Sequence, residues 1–258
     1  MYLGAAIAVR LFAEVSPAAV TWLRQLGAAL VLLAWRRPPR TAWRGRAFWL
    51  AATFGLVTAG MNLAFYESIA RLPLGTAVAL EFAGPVAVAA VSSRTRRDVA
   101  ALVLVACGVL LIADVRWSGS PLGVVFALSA AALWAAYILL GKRVAVGVGL
   151  DGLAVGFAVA TVALSPLALG TGPAWASPRL LLLGIGVGVL ATAIPYALDQ
   201  VVLRRDVNRA TFAVLLALLP VTATLTGVVL LAQTPTLPEA IGILAVVTGI
   251  ALPTPEPR

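Results

Sequence analysis

Glu81 and Arg24 each lie inside a long, largely apolar run, 74–93 and 16–35. A carboxylate held among hydrocarbon binds a proton or a cation; a guanidinium in the same setting binds a carboxylate or phosphate. Pro85 follows Glu81 by four positions, and a proline has no N–H for the carbonyl four residues back. The Glu81 carbonyl therefore loses its helical partner at the level of its own carboxylate. Gly84 leaves room for close approach there, so the segment reads as a polar notch in a membrane helix.

The two charges match in depth. Each is seven or eight residues in from the same end of its run, or roughly 10–12 Å at ~1.5 Å per residue. Two readings follow. Glu81 and Arg24 form a permanent ion pair that neutralises two buried charges, or they open toward a cavity where a zwitterion offers its ammonium to Glu81 and its carboxylate to Arg24. Weaker candidates surround them: Thr21 and Gln25 close to Arg24, Asn62 and Tyr66 one turn apart, Trp134 with Tyr137, and Tyr196 after Pro195. Each either lines a pathway or satisfies packing between helices. Pro195 and Pro220 mark further helix breaks. Glu67, near a span end, is expected to snorkel. Asp199 is expected to pair with Arg204 and Arg205 at the surface, and Asp98 and Asp206 to balance charge in basic loops.

Other chemistries are poorly served. There is no histidine and a single cysteine, Cys107, in an apolar run, which excludes disulfides and removes the commonest metal ligand and general base. No two carboxylates share a helix face in one span, so neither a metal site, a cofactor nor a catalytic dyad is expected.

These residues are carried by membrane helices. Of 258 residues, 62% are hydrophobic and 11% charged, with mean hydropathy +1.02, against about 45–50% and about 25% in soluble domains. Apolar runs of bilayer-crossing length recur near 1–13, 16–35, 47–70, 74–93, 98–115, 121–141, 152–170, 179–201, 208–232 and 236–252. The first is short, and the chain is expected to begin upstream of Met1 or to carry a truncated first helix. Most of the 19 basic residues fall in every second connection: Arg36, Arg37, Arg40, Arg44 and Arg46; Arg94, Arg96 and Arg97; Lys142 and Arg143; Arg204, Arg205 and Arg209; and Arg258. By the positive-inside rule the connections at 36–46, 94–97, 142–151 and 203–209 and both termini are cytoplasmic. The net charge of +9 thus reflects topology rather than nucleic-acid binding.

Shifting the chain by 135 residues lays "GTAVALEFAGPVAVAAV" (75–91) on "ATFAVLLALLPVTATLT" (210–226), matching Pro85 to Pro220. The two runs point opposite ways across the membrane. The expected architecture is an all-α membrane protein of about ten helices in two inverted five-helix repeats, 1–115 and 121–252, with a short tail at 253–258.

The segment "FYESIARLPLGTAVALEFAGPVAVAAVSSRTRR" resembles the signature of bacterial inner-membrane threonine/homoserine exporters, a subgroup of the EamA family in the drug/metabolite transporter superfamily. "SPAAVTWLRQLGAALVLLAWRRP", "GMNLAFY", "ALWAAYILLGKR", "ATAIPYALDQVVLRR" and "RATFAVLLALLP" extend the likeness along the chain. The resemblance implies the ten-helix, two-repeat fold and export of small hydrophilic solutes, especially amino acids, against proton entry. A homodimer is left open. In the second repeat the family carries a glutamate before the proline and a Gly-Glu pair at the helix end, where this chain has Leu219 and "AQT" at 232–234. Two alternatives stay open: an exporter of drugs or lipid-like solutes, and a non-transporting scaffold that packs through small residues such as "GIGVG" (184–188).

Overall fold

A computed structural model describes residues 2–92, 96–117, 120–202 and 209–252. Among the described residues all regular structure is helical: α1 (Tyr2–Leu11), α2 (Pro17–Arg36), α3 (Gly45–Ile69), α4 (Leu74–Glu81), α5 (Ala83–Ser92), α6 (Arg96–Trp117), α7 (Pro121–Gly147), α8 (Gly149–Ala163), α9 (Gly172–Trp175), α10 (Pro178–Gly188), α11 (Ile194–Val202), α12 (Arg209–Leu231) and α13 (Leu237–Ala251). Pro17–Arg36, Gly45–Ile69, Pro121–Gly147 and Pro178–Asp199 are long and apolar enough to cross a bilayer. Tyr2–Leu11, Leu74–Val88, Val99–Ile112, Leu218–Leu231 and Leu237–Ala251 are shorter apolar helices.

Polarity is distributed as in a membrane protein. Leu110, Leu182, Leu244 and Val229 are exposed, whereas Thr21, Arg24, Gln25, Asn62, Thr192 and Glu239 are buried. Apolar side chains facing outward are at home in lipid, and inward polar groups at such sites mark pathways or partners.

The ends of the helices follow local chemistry. Ser16 caps α2 by accepting from the Ala19 amide at 3.3 Å, with Pro17 at the first helical position. The helix stops where Arg37 turns left-handed, φ 45°, and its amide closes on the Leu33 carbonyl at 2.9 Å, ahead of Pro38 and Pro39. Ser177 with Pro178 opens α10 in the same way. Thr236 and Glu239 form a reciprocal capping box at the start of α13.

Two runs depart from their expected limits. The run 152–170 is a regular helix only as far as Ala163. Pro166 withholds an amide and disfavours helical Ser165, so the chain tightens into 3₁₀ turns and bends by 65°. The run 121–141 continues to Gly147, which puts Lys142 and Arg143 in the last turns of α7 rather than in a loop.

The chain divides into two compact units, residues 1–66 with 136–206 and residues 67–135 with 207–258; the first two boundaries fall inside α3 and α7, and the third lies outside the described residues. In the first unit α2 packs on α8 and α10, and α1 packs on α10. In the second, α13 lies on α6, and α12 on α4 and α13. Pro220 does not break α12, which runs through it.

Past the end of α12, Ala232 has φ 54°, a left-handed conformation that costs a non-glycine residue about 1–2 kcal/mol. Ala232→Gly is therefore expected to stabilise the protein by about 1 kcal/mol, once the added freedom of the unfolded chain is deducted. In detergent the thermal midpoint should rise by about 2–4 °C; a fall would show that Ala232 is not strained.

Candidate functional site

In the first unit the site is built around a missing amide. Pro195 has no N–H for the Ala191 carbonyl four residues back, and the chain before it, Val189–Ala193, widens into a π-helical turn. Arg24 fills this region. Its Nη2 donates to the Ala191 carbonyl at 3.2 Å and its Nε donates to the Thr192 hydroxyl. The guanidinium lies 4.8 Å from the centre of the Tyr66 ring, a cation–π distance.

Gly188 makes this reach geometrically feasible. A Cβ there would lie 2.3 Å from the Arg24 carbonyl, so α2 and α10 meet backbone to backbone. Arg24 is 2% exposed, yet its partners in this unit are a hydroxyl, a carbonyl and an aromatic face. All are neutral. A buried cation compensated in this way retains a strong preference for an anion.

Amides with unpartnered buried atoms stand with it in the same unit. Gln25, fully buried, has neither its Oε1 nor its Nε2 hydrogen-bonded. Asn62 accepts from the Tyr196 hydroxyl at 3.2 Å through Oδ1 while its buried Nδ2 has no partner. Buried amide groups are nearly always paired, so these atoms mark places where water or a polar ligand belongs.

An aromatic series leads away from Asn62. The Tyr196 ring lies 5.5 Å from that of Tyr137, whose hydroxyl donates to Asp199 at 3.1 Å. Phe54 and Phe157 flank the two tyrosines at 5.0 and 5.6 Å. Tyr137 and Tyr196 are buried and Asp199 is exposed, so the series runs from the cluster to the surface of the unit. Asp199 thus has a tyrosine partner; Arg204, Arg205 and Asp206 lie outside the described residues. Thr21 serves its own helix, donating to the Pro17 carbonyl at 2.9 Å.

Glu81, matched in depth to Arg24 by the sequence, belongs to the second unit. It is the last residue of α4 and is 6% exposed. The helix is interrupted at Phe82 and resumes at Ala83, as expected where Pro85 cannot donate to the Glu81 carbonyl. A Cβ on Gly84 would lie 2.0 Å from the Ala131 carbonyl, which brings α5 directly onto α7; Phe82 packs edge-on against Trp134 at 4.9 Å. Glu67 pairs with Arg71 one turn on, at 2.5 Å.

A second buried carboxylate in this unit, Glu239, was not among the expected site residues. It is fully buried, accepts from Thr76 Oγ1 at 2.7 Å, and receives the Thr236 amide and hydroxyl at 3.0 and 2.8 Å. Its signal was legible as the Thr-x-x-Glu capping box, "TLPE" at 236–239. Beside it Gln233 Oε1 accepts from the Leu74 amide at 2.9 Å, capping α4, whose own N-cap, Pro73, has no side-chain acceptor. Gln233 therefore has a structural task, holding the first turn of α4.

Comparison with known proteins places this geometry in context. Residues 121–254 match the model of the EamA-like transporter family. The chain is 37% identical to the threonine/homoserine exporter RhtA of Salmonella typhimurium strain LT2 and 36% identical to that of Escherichia coli strain K12, in each case over 95% of this chain and 84% of the relative. A protein of known crystal structure, 20% identical, superposes with a TM-score of 0.66 over 97% of this chain and 92% of its own, which establishes the shared fold. The RhtA relatives are exporters and not enzymes, and the identity to them extends over nearly the whole sequence: the chain is an integral membrane protein that belongs to the EamA-like transporter family.

Proposed function

We propose that the protein exports threonine, homoserine and similar small amino acids across the bacterial inner membrane, driven by proton entry. The exporters RhtA, 36–37% identical, support the substrate class. One structural observation carries the reading: Arg24 is a buried cation with neutral partners in its unit, accompanied by the Gln25 amide and the Asn62 Nδ2, buried polar atoms without hydrogen-bond partners. Such a group suits the carboxylate of an amino acid, and the Gln25 and Asn62 amides suit its hydroxyl or ammonium. Tyr66 supplies the aromatic floor under the guanidinium, and Tyr137 and Tyr196 line the approach. Glu81, buried at a helix break, is the proton-carrying carboxylate.

The same proposal includes ten spans in two inverted repeats, 1–115 and 121–252, with both termini cytoplasmic. The alternation of arginine-rich and arginine-poor connections supports that parity. Counterflow in proteoliposomes, with labelled amino acids offered singly and with or without a pH gradient, tests the whole. Threonine and homoserine are expected to accumulate, faster when the gradient favours antiport. Accumulation of no amino acid would reject the substrate class and redirect the search to drugs or lipid-like solutes.

A further inference from the structure

An open cavity on the surface of the first unit has a different character from the Arg24 cluster. It measures about 700 Å³ and is lined by Arg46, Ala47 and Leu50 from the start of α3, Lys142, Arg143, Val146 and Gly147 from the end of α7, and Val148. That volume is within the roughly 300–1,000 Å³ range of small-ligand pockets. Three cations thus face one space whose remaining walls are aliphatic or glycine.

The cations are uncompensated. Among the described residues the side chains of Arg46, Lys142 and Arg143 form no ion pair or hydrogen bond, whereas Arg36 is already paired with Asp151 at 3.0 Å. Like charges around a common space repel one another, and an anion placed between them removes that cost. A soluble anion would satisfy the charges but leave Leu50, Val146 and Val148 against water. An acyl chain covers those walls. Trp43 and Trp49, exposed before and within the first turns of α3, have the amphipathic character of residues found at headgroup level.

We propose that this cavity is a binding site for an anionic glycerophospholipid, with the phosphate held by Arg46, Lys142 and Arg143 and the upper acyl chain lying along Leu50, Val146 and Val148. Occupancy ties the start of α3 to the end of α7, so the bound lipid stabilises the fold.

The test is the thermal midpoint of the purified full-length protein in detergent, measured with phosphatidylglycerol, phosphatidylcholine or inorganic phosphate added. Phosphatidylglycerol is expected to raise the midpoint, with little or no shift from the other two. The shift should be lost in the triple variant Arg46→Gln, Lys142→Gln, Arg143→Gln. It should also be lost in Val146→Trp, which places an indole across the proposed acyl-chain wall while keeping every charge and so remains informative if the triple variant fails to fold. An equal shift from phosphatidylcholine would overturn the proposal, as would full reproduction of the shift by inorganic phosphate, or its persistence in Val146→Trp.

Discussion

Arg24→Gln is expected to weaken binding of carboxylate-bearing substrates by roughly 10- to 100-fold, the equivalent of one charge-assisted hydrogen bond of about 1.5–3 kcal/mol. The side chain that is lost is buried, and it reaches the Ala191 carbonyl and the Thr192 hydroxyl at the same time. Glutamine can keep one of those hydrogen bonds but presents no charge. Arg24→Lys separates charge from shape: an ammonium has three donors on one atom and cannot reproduce the spread of Nε and Nη2, so affinity should fall between those of wild type and Arg24→Gln. Both variants should be checked for monodispersity, because withdrawing donors from the widened turn before Pro195 also affects folding.

Glu81→Gln is expected to abolish proton-driven export while sparing the fold. The residue is 6% exposed at the junction of α4 and α5, so an amide of the same size fills the same space but cannot titrate. In proteoliposomes the variant should lose the stimulation that a pH gradient gives to wild type. Substrate exchange without a gradient should continue. Wild-type rates with an unchanged pH response would show that Glu81 is a structural carboxylate and that coupling lies elsewhere.

Much of this arrangement could be read from residue types alone, because prolines and charges in hydrocarbon have few alternatives. The break after Glu81 followed from Pro85, and the limits of α2 from Ser16-Pro17 at one end and Pro38-Pro39 at the other. Tertiary partners were harder to see. Nothing local indicates that the Ala191 carbonyl opposite Pro195 meets a guanidinium 167 residues away in sequence. Glu239 carries the sequence signature of an ordinary capping residue, and only the fold shows that it also receives Thr76. Hydropathy treated 152–170 as continuous because Pro166 and the nearby glycines barely lower an apolar average, although they decide the backbone path. Lys142 and Arg143 were assigned to a loop on charge, but long side chains can remain on the last turns of a helix and still reach its polar end.

Arg24 as the carboxylate-binding group is tested most directly by competition. Counterflow of labelled threonine is measured with excess unlabelled threonine or with threoninamide, which keeps the ammonium and hydroxyl and replaces the carboxylate by a neutral amide. In the wild-type protein, threonine should compete fully and threoninamide at least about tenfold less well, the cost of one charge-assisted hydrogen bond of about 1.5 kcal/mol; in Arg24→Gln the two should become equally weak competitors. Equal competition by threonine and threoninamide in wild type would contradict the assignment.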